Sequence, residues 1–245
     1  PEGDGWILNA HKCPVGDGMF SDFYVVSARS ENVEGSRGIS LFLVDKSMPG
    51  VEVVRDMPMM GLRGSTHVEI KFENVRLGPE HLLGERGRGL SLLLSTIGRI
   101  RLFHIGARAI GMGRRVMNMM TDRANQREQF GKPIVEFQAV QLQLAQMKMK
   151  LDASRLLLYR AVSNAEQSLP TIADSSIAKC YANEIAREVT SAAVQLMGGY
   201  GFSKSYPMEQ KMRDAWGWGI AGGSIDIQKI NIAAAIVGRR FNQRG

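Results

Sequence analysis

The sequence predicts an α+β chain that is mainly α. A partial antiparallel β-domain, barrel-like in its strand pattern, is expected over residues 1–84, and a four-helix up-down bundle over residues 85–245. Three observations carry this. Short β-rich runs separated by Gly, Pro, Asp and Ser fill the first third. From Gly87 onward apolar residues recur every three or four positions instead of every two. With 245 residues and 44% apolar content, the chain can bury roughly 70% of its unfolded surface without disulfide or metal staples.

The strands are expected at 6–9, 23–28, 39–44, 51–55 and 66–75. In Val68-Glu69-Ile70-Lys71-Phe72-Glu73 the alternation is clean, which puts Val68, Ile70 and Phe72 on a core face and the charges in water. The first strand opens almost at residue 1 and leaves a sheet edge. That edge is either covered within a small domain, or met by a further part of a larger protein or another subunit.

Helices follow at about 90–124, along the stripe Phe137, Val140, Leu144, Met147, Leu151 and Leu158, along the stripe Ile177, Tyr181, Ile185, Val189, Ala192 and Leu196, and at 225–241. The third helix starts after Pro170-Thr171 and stops at Gly198-Gly199, a C-terminal glycine signal. Short connections between long amphipathic helices are the pattern of a bundle.

Several function classes are excluded or unsupported by composition. The net charge is +7, but the basic residues are dispersed at helical spacing, so a solvated face is favoured over nucleic-acid binding. No run approaches the ~20 apolar residues of a membrane span. Cys13 and Cys180 are too few and too far apart for a disulfide framework or zinc site, which fits a reducing compartment: the cytoplasm, or the mitochondrial matrix in a eukaryote. The four histidines are scattered, His104 reading as a core histidine, and no metal site is expected. Nucleophile-elbow, Walker and zinc-protease motifs are absent.

Two segments are unusual for a plain bundle: Arg127-Glu128-Gln129-Phe130-Gly131-Lys132-Pro133 with Gln138, and Gln195-Leu196-Met197-Gly198-Gly199-Tyr200-Gly201-Phe202. Glycine lets a ligand approach the backbone, and exposed amides with an arginine could hold a pyrophosphate. The same residues also suit a helix C-cap and a surface charge.

Taken in order, Arg127-x-x-Phe130-Gly131-Lys132-Pro133, Phe137-Gln138, Gln195-x-x-Gly198-Gly199-x-Gly201-Phe202, Tyr206-Pro207 and Arg213-Asp214-Ala215 resemble the acyl-CoA dehydrogenase family. Gly5-Trp6-x-Leu8-Asn9-x-x-Lys12 resembles its middle β-domain, and residues from Glu85 its C-terminal helical domain. The resemblance implies FAD-dependent α,β-oxidation of an acyl-CoA thioester, an electron-transferring flavoprotein as acceptor, and a dimer or tetramer. It implies that Arg127, Phe130, Gln138, Gln195, Gly198 and Gly199 reach the FAD of a neighbouring subunit, with Ser224 in place of a threonine near the flavin.

The chain departs from the family where the base belongs. One usual glutamate position is Gly222 and the alternative is Arg101, neither of which can accept an α-proton; Asp226 is the substitute candidate, ahead of Asp214. After Lys12, where the family carries a Trp-Ile-Thr segment against the flavin, stands Pro14-Val15-Gly16. Four readings therefore stay open: a dehydrogenase with a relocated base, a lyase or desulfinase-like reaction on an acyl-CoA, a noncatalytic subunit or fragment lending FAD-site surface to a mixed oligomer, and a cofactor-free structural bundle.

Overall fold

A computed structural model of the chain describes residues 1–33, 35–165, 169–239 and 241. It divides into two compact units, Pro1–Thr96 and Ile97–Gly245.

The first unit carries β1 (Trp6–Gly16), β2 (Phe23–Arg29), β3 (Ile39–Asp45), β4 (Val51–Asp56), β5 (His67–Leu77) and β6 (Leu82–Leu83). They form two antiparallel three-stranded sheets, ordered β1-β5-β4 and β2-β3-β6, which do not join into a closed barrel among the described residues. The core lies between them. Trp6, Leu8, Val68, Ile70 and Phe72 from one sheet pack with Tyr24, Val26, Phe42 and Val44 from the other. The alternation read in β5 holds: Val68, Ile70 and Phe72 are all but fully buried. β1 runs well past its expected end at residue 9, because register shifts at Leu8/Ala10 and Lys12/Val15 absorb its irregular part.

The helical elements are α1 (Gly89–Ile100), α2 (Ala107–Gln126), α3 (Gln138–Ser163), α4 (Ile172–Met197), α5 (Gly199–Phe202), α6 (Met208–Ile220) and α7 (Ile225–Val237). A π-helical turn, Arg101–Gly106, interrupts what the sequence suggests is one helix over 90–124. α6 has no counterpart among the expected helices: its apolar positions are few, and only Tyr206-Pro207 marks its start. The last helix stops at Val237, where Gly238 adopts a left-handed conformation. Position 240, inside the expected 225–241 helix, lies outside the described residues.

α4 is the central helix, packing against α2, α3, α6 and α7. Thr171 caps it, accepting from the Asp174 amide at 3.0 Å, and Gly198 ends it. Its buried face is rotated from the expected stripe. Ala178, Ala182, Ala186, Val189 and Ala193 form the contact, since small residues let four neighbours approach closely, and Lys179, Asn183 and Thr190 are buried among them. No single described helix is long and apolar enough to cross a membrane; α6 and α7 pass that test only as a pair bent by 44°.

Candidate functional site

Two places in the helical unit gather the residues singled out above. The first begins where α2 ends. Arg127 closes that helix, its amide bonded to the Arg123 carbonyl at 2.9 Å, and a hairpin of β7 (Glu128–Gln129) and β8 (Lys132–Pro133) follows. Phe130 and Gly131 form its two-residue turn with φ of 53° and 78°, the mirror-image turn that suits strand twist. The left-handed backbone is strained for Phe130, and it projects the ring into solvent at 92% exposure. A second chain end lies alongside: α4 finishes at Met197, and Gly198 turns with φ 59°.

Arg127, Gly198 and Gly199 line one groove of about 600 Å³ together with Arg123, Gln129 and Tyr200. A Cβ added to Gly198 or Gly199 would meet nothing within 4 Å, so open space lies against both, although the Gly198 amide donates to the Gln195 carbonyl at 3.2 Å. Arg123 lies 4.3 Å over the Tyr200 ring. Its signal in the sequence is its position one helical turn before Arg127. Phe130, Gln138 and Gln195 are exposed but do not line this groove.

The second place is the turn between α6 and α7. It brings together the two positions where a base glutamate was expected: the Arg101 guanidinium Nε donates to the Gly222 carbonyl at 3.0 Å. Arg101 sits in the π-helical turn with 5% exposure, and burial pulls its pKa down. Lys179, fully buried on α4, donates to the carbonyls of Gly219 (3.4 Å), Ala221 (2.6 Å) and Gly223. Burial first, then the nearby charges of Arg101 and Arg187, hold the Lys179 pKa at about 8. Gln228, also buried, donates to Gly223 O at 3.0 Å and accepts from Ser176 Oγ at 2.9 Å.

Lys179 and Gln228 escaped the sequence reading. Their signal was faint: Lys179, Asn183 and Arg187 recur every fourth residue, as a solvated helix face would. Ser224 caps α7, its hydroxyl 3.5 Å from the Ile227 amide, and Asp226 is exposed in the first turn, where a carboxylate complements the helix dipole. His104 is not a core histidine. It is exposed in the π-helical turn, with its ring centre 5.5 Å from that of Trp218. Among the described residues, no three His, Cys, Asp or Glu side chains converge as metal ligands.

Arginine cannot take a proton, and glycine offers no side chain, so neither residue of the Arg101–Gly222 contact can be a base. The groove at Arg127 suits an anion in the open space beside its glycines.

Comparison with known proteins gives two family matches that follow one another along the chain. The pattern for "Acyl-CoA dehydrogenase, middle domain" matches residues 1–75, and that for "Acyl-CoA dehydrogenase, C-terminal domain" matches 87–237. A probable acyl-CoA dehydrogenase of Mycobacterium tuberculosis is 39% identical over 237 residues, which is 96% of this chain and 61% of that protein. Butyryl-CoA dehydrogenase from Megasphaera elsdenii superimposes with a TM-score of 0.91 at 33% identity, covering 95% of this chain and 61% of the other. A chain described with the electron transferring flavoprotein of Acidaminococcus fermentans gives a TM-score of 0.92 at 34% identity, covering 97% and 62%. The chain thus spans about three-fifths of the length of the relatives it matches.

Proposed function

The chain belongs to the acyl-CoA dehydrogenase family, and from that premise we propose that the full-length protein is a flavoprotein carrying out FAD-dependent α,β-oxidation of an acyl-CoA thioester. The observation that carries this reading is the groove in which Arg127 meets the open space beside Gly198 and Gly199. A guanidinium beside glycines that leave room for close approach fits the pyrophosphate of a dinucleotide. Arg127, Gly198 and Gly199 would hold that end of FAD. Phe130, Gln138 and Gln195 stand exposed for the same cofactor in a neighbouring subunit of a dimer or tetramer. When bound, FAD supplies the acceptor for the substrate's β-hydride, and an electron-transferring flavoprotein takes the electrons onward.

The residues of the turn do the rest. Ser224 fixes the start of α7, and Asp226, two residues later, is the carboxylate we assign as base in place of the glutamate missing at Gly222. Free thiols at Cys13 and Cys180 suit a reducing compartment, the cytoplasm or a mitochondrial matrix.

A second reading rests on the Arg101–Gly222 contact: a thioester is bound without removal of its α-proton, because a cation occupies one base position and a glycine the other. Anaerobic titration of the flavin-loaded protein with butyryl-CoA separates the two. Bleaching of the flavin bands that Asp226→Asn slows at least ~10²-fold supports the dehydrogenase with a relocated base. Binding without bleaching favours the second reading, and a protein that takes up no flavin ends both.

A further inference from the structure

The turn at 219–223 holds two buried cations, and only one has its donors satisfied. Lys179 spends its three protons on three carbonyls at the end of α6, an arrangement that the helix dipole also favours. Arg101 spends only Nε, on Gly222 O; neither Nη has a hydrogen-bond partner among the described residues. Among the described residues, no carboxylate is paired with it. Burial alone shifts Arg101, with no carboxylate acting on it, and the charged groups acting on Lys179 besides the Cys180 thiol are Arg101 and Arg187, both cations.

An uncompensated cation buried this deeply is costly unless an anion is brought to it. Glycine lets the turn close on this cation: a Cβ on Gly223 would stand 3.4 Å from Arg101 Nη2 and only 2.7 Å from Gln228 Nε2. We propose that Arg101 is a specificity residue that receives a carboxylate, or a like oxyanion, carried on the acyl chain of the thioester. The inference rests on the acyl-CoA reading above. It turns the loss of the glutamate into an exchange: a protein-borne anion at this position is replaced by a substrate-borne one. A planar guanidinium with two free Nη groups offers such an anion a paired set of donors.

The test is calorimetric binding of succinyl-CoA and butyryl-CoA, matched in acyl length, to the full-length flavin-loaded protein. Charge-assisted hydrogen bonds to a desolvated arginine predict that succinyl-CoA binds at least ~10-fold more tightly. Arg101→Met is expected to abolish this preference while leaving butyryl-CoA binding in place, and Arg101→Lys, which keeps the charge but loses the fork, to retain a reduced preference. Equal affinity in the unaltered protein overturns the inference even if neither variant folds, as does a preference that survives in Arg101→Met. Failure of both thioesters to bind overturns the acyl-CoA reading as well, so the two failures are distinct.

Discussion

The groove at Arg127 and the turn at 219–223 treat positive charge in opposite ways. In the groove, the Arg127 guanidinium is exposed beside glycines with open space where a side chain would stand. In the turn, Arg101 and Lys179 are buried, and the carbonyls of Gly219, Ala221, Gly222 and Gly223 close around them. The groove keeps its charge for something outside the chain and contributes little to the fold. The turn uses most of its charge internally, fixing the joint between α6 and α7. A surface arginine can therefore be lost at little cost to stability, whereas a buried lysine cannot.

Substitution at the turn tests the larger side of this difference. Lys179→Met leaves three carbonyls without their donor, at about 1 kcal/mol each, so a loss of about 3 kcal/mol is expected at pH 7 in urea unfolding. A loss below ~1 kcal/mol would mean that water or a shifted backbone satisfies those carbonyls.

The pH dependence sharpens the same point. Folded Lys179 releases its proton near pH 8, while the unfolded side chain holds it to about 10.5. Between these values the unfolded state binds more protons, so this group makes stability rise with pH across that window and contributes no slope below it. The full change is on the order of 3 kcal/mol. Denaturation of the unaltered protein and Lys179→Met at pH 7.5 and pH 10 isolates it: the rise belongs to the lysine only if the variant lacks it.

The groove should respond least. Arg127→Ala is expected to change stability by no more than ~0.5 kcal/mol, as for an exposed charge. The same variant should lose flavin on gel filtration. Retention of flavin would detach Arg127 from the cofactor, and a large stability loss would erase the contrast with the turn.

The sequence exposed the groove better than the turn for a physical reason. Glycine after a helix and an arginine before a Phe-Gly turn leave local marks, because backbone conformation there depends on nearby residues. The β5 alternation and the Thr171 cap of α4 were legible on the same ground. Burial of Lys179, Asn183 and Gln228 depends on where α6 and α7 pack, which no local pattern records. On a helix wheel, a polar stripe facing a neighbouring chain end looks like one facing water. The π-helical turn that sets Arg101 beside Gly222 also left no mark in the apolar period.

The placement of the three tryptophans gives the protein an optical consequence. Trp6 is buried in the β-unit against Phe42, 5.1 Å between ring centres, whereas Trp216 and Trp218 both lie on α6, just ahead of the turn. Arg187 covers Trp216 at 4.2 Å and Arg108 covers Trp218 at 4.9 Å. Indole emission from one chain therefore comes from two environments: a buried β-core, where Arg86 stands 5.7 Å from the Trp6 ring, and a more exposed helix end, where guanidinium groups sit closer over the rings. A disturbance at the turn should recolour the second component and leave the first unchanged, so the protein reports the state of its own α6–α7 joint without an added dye.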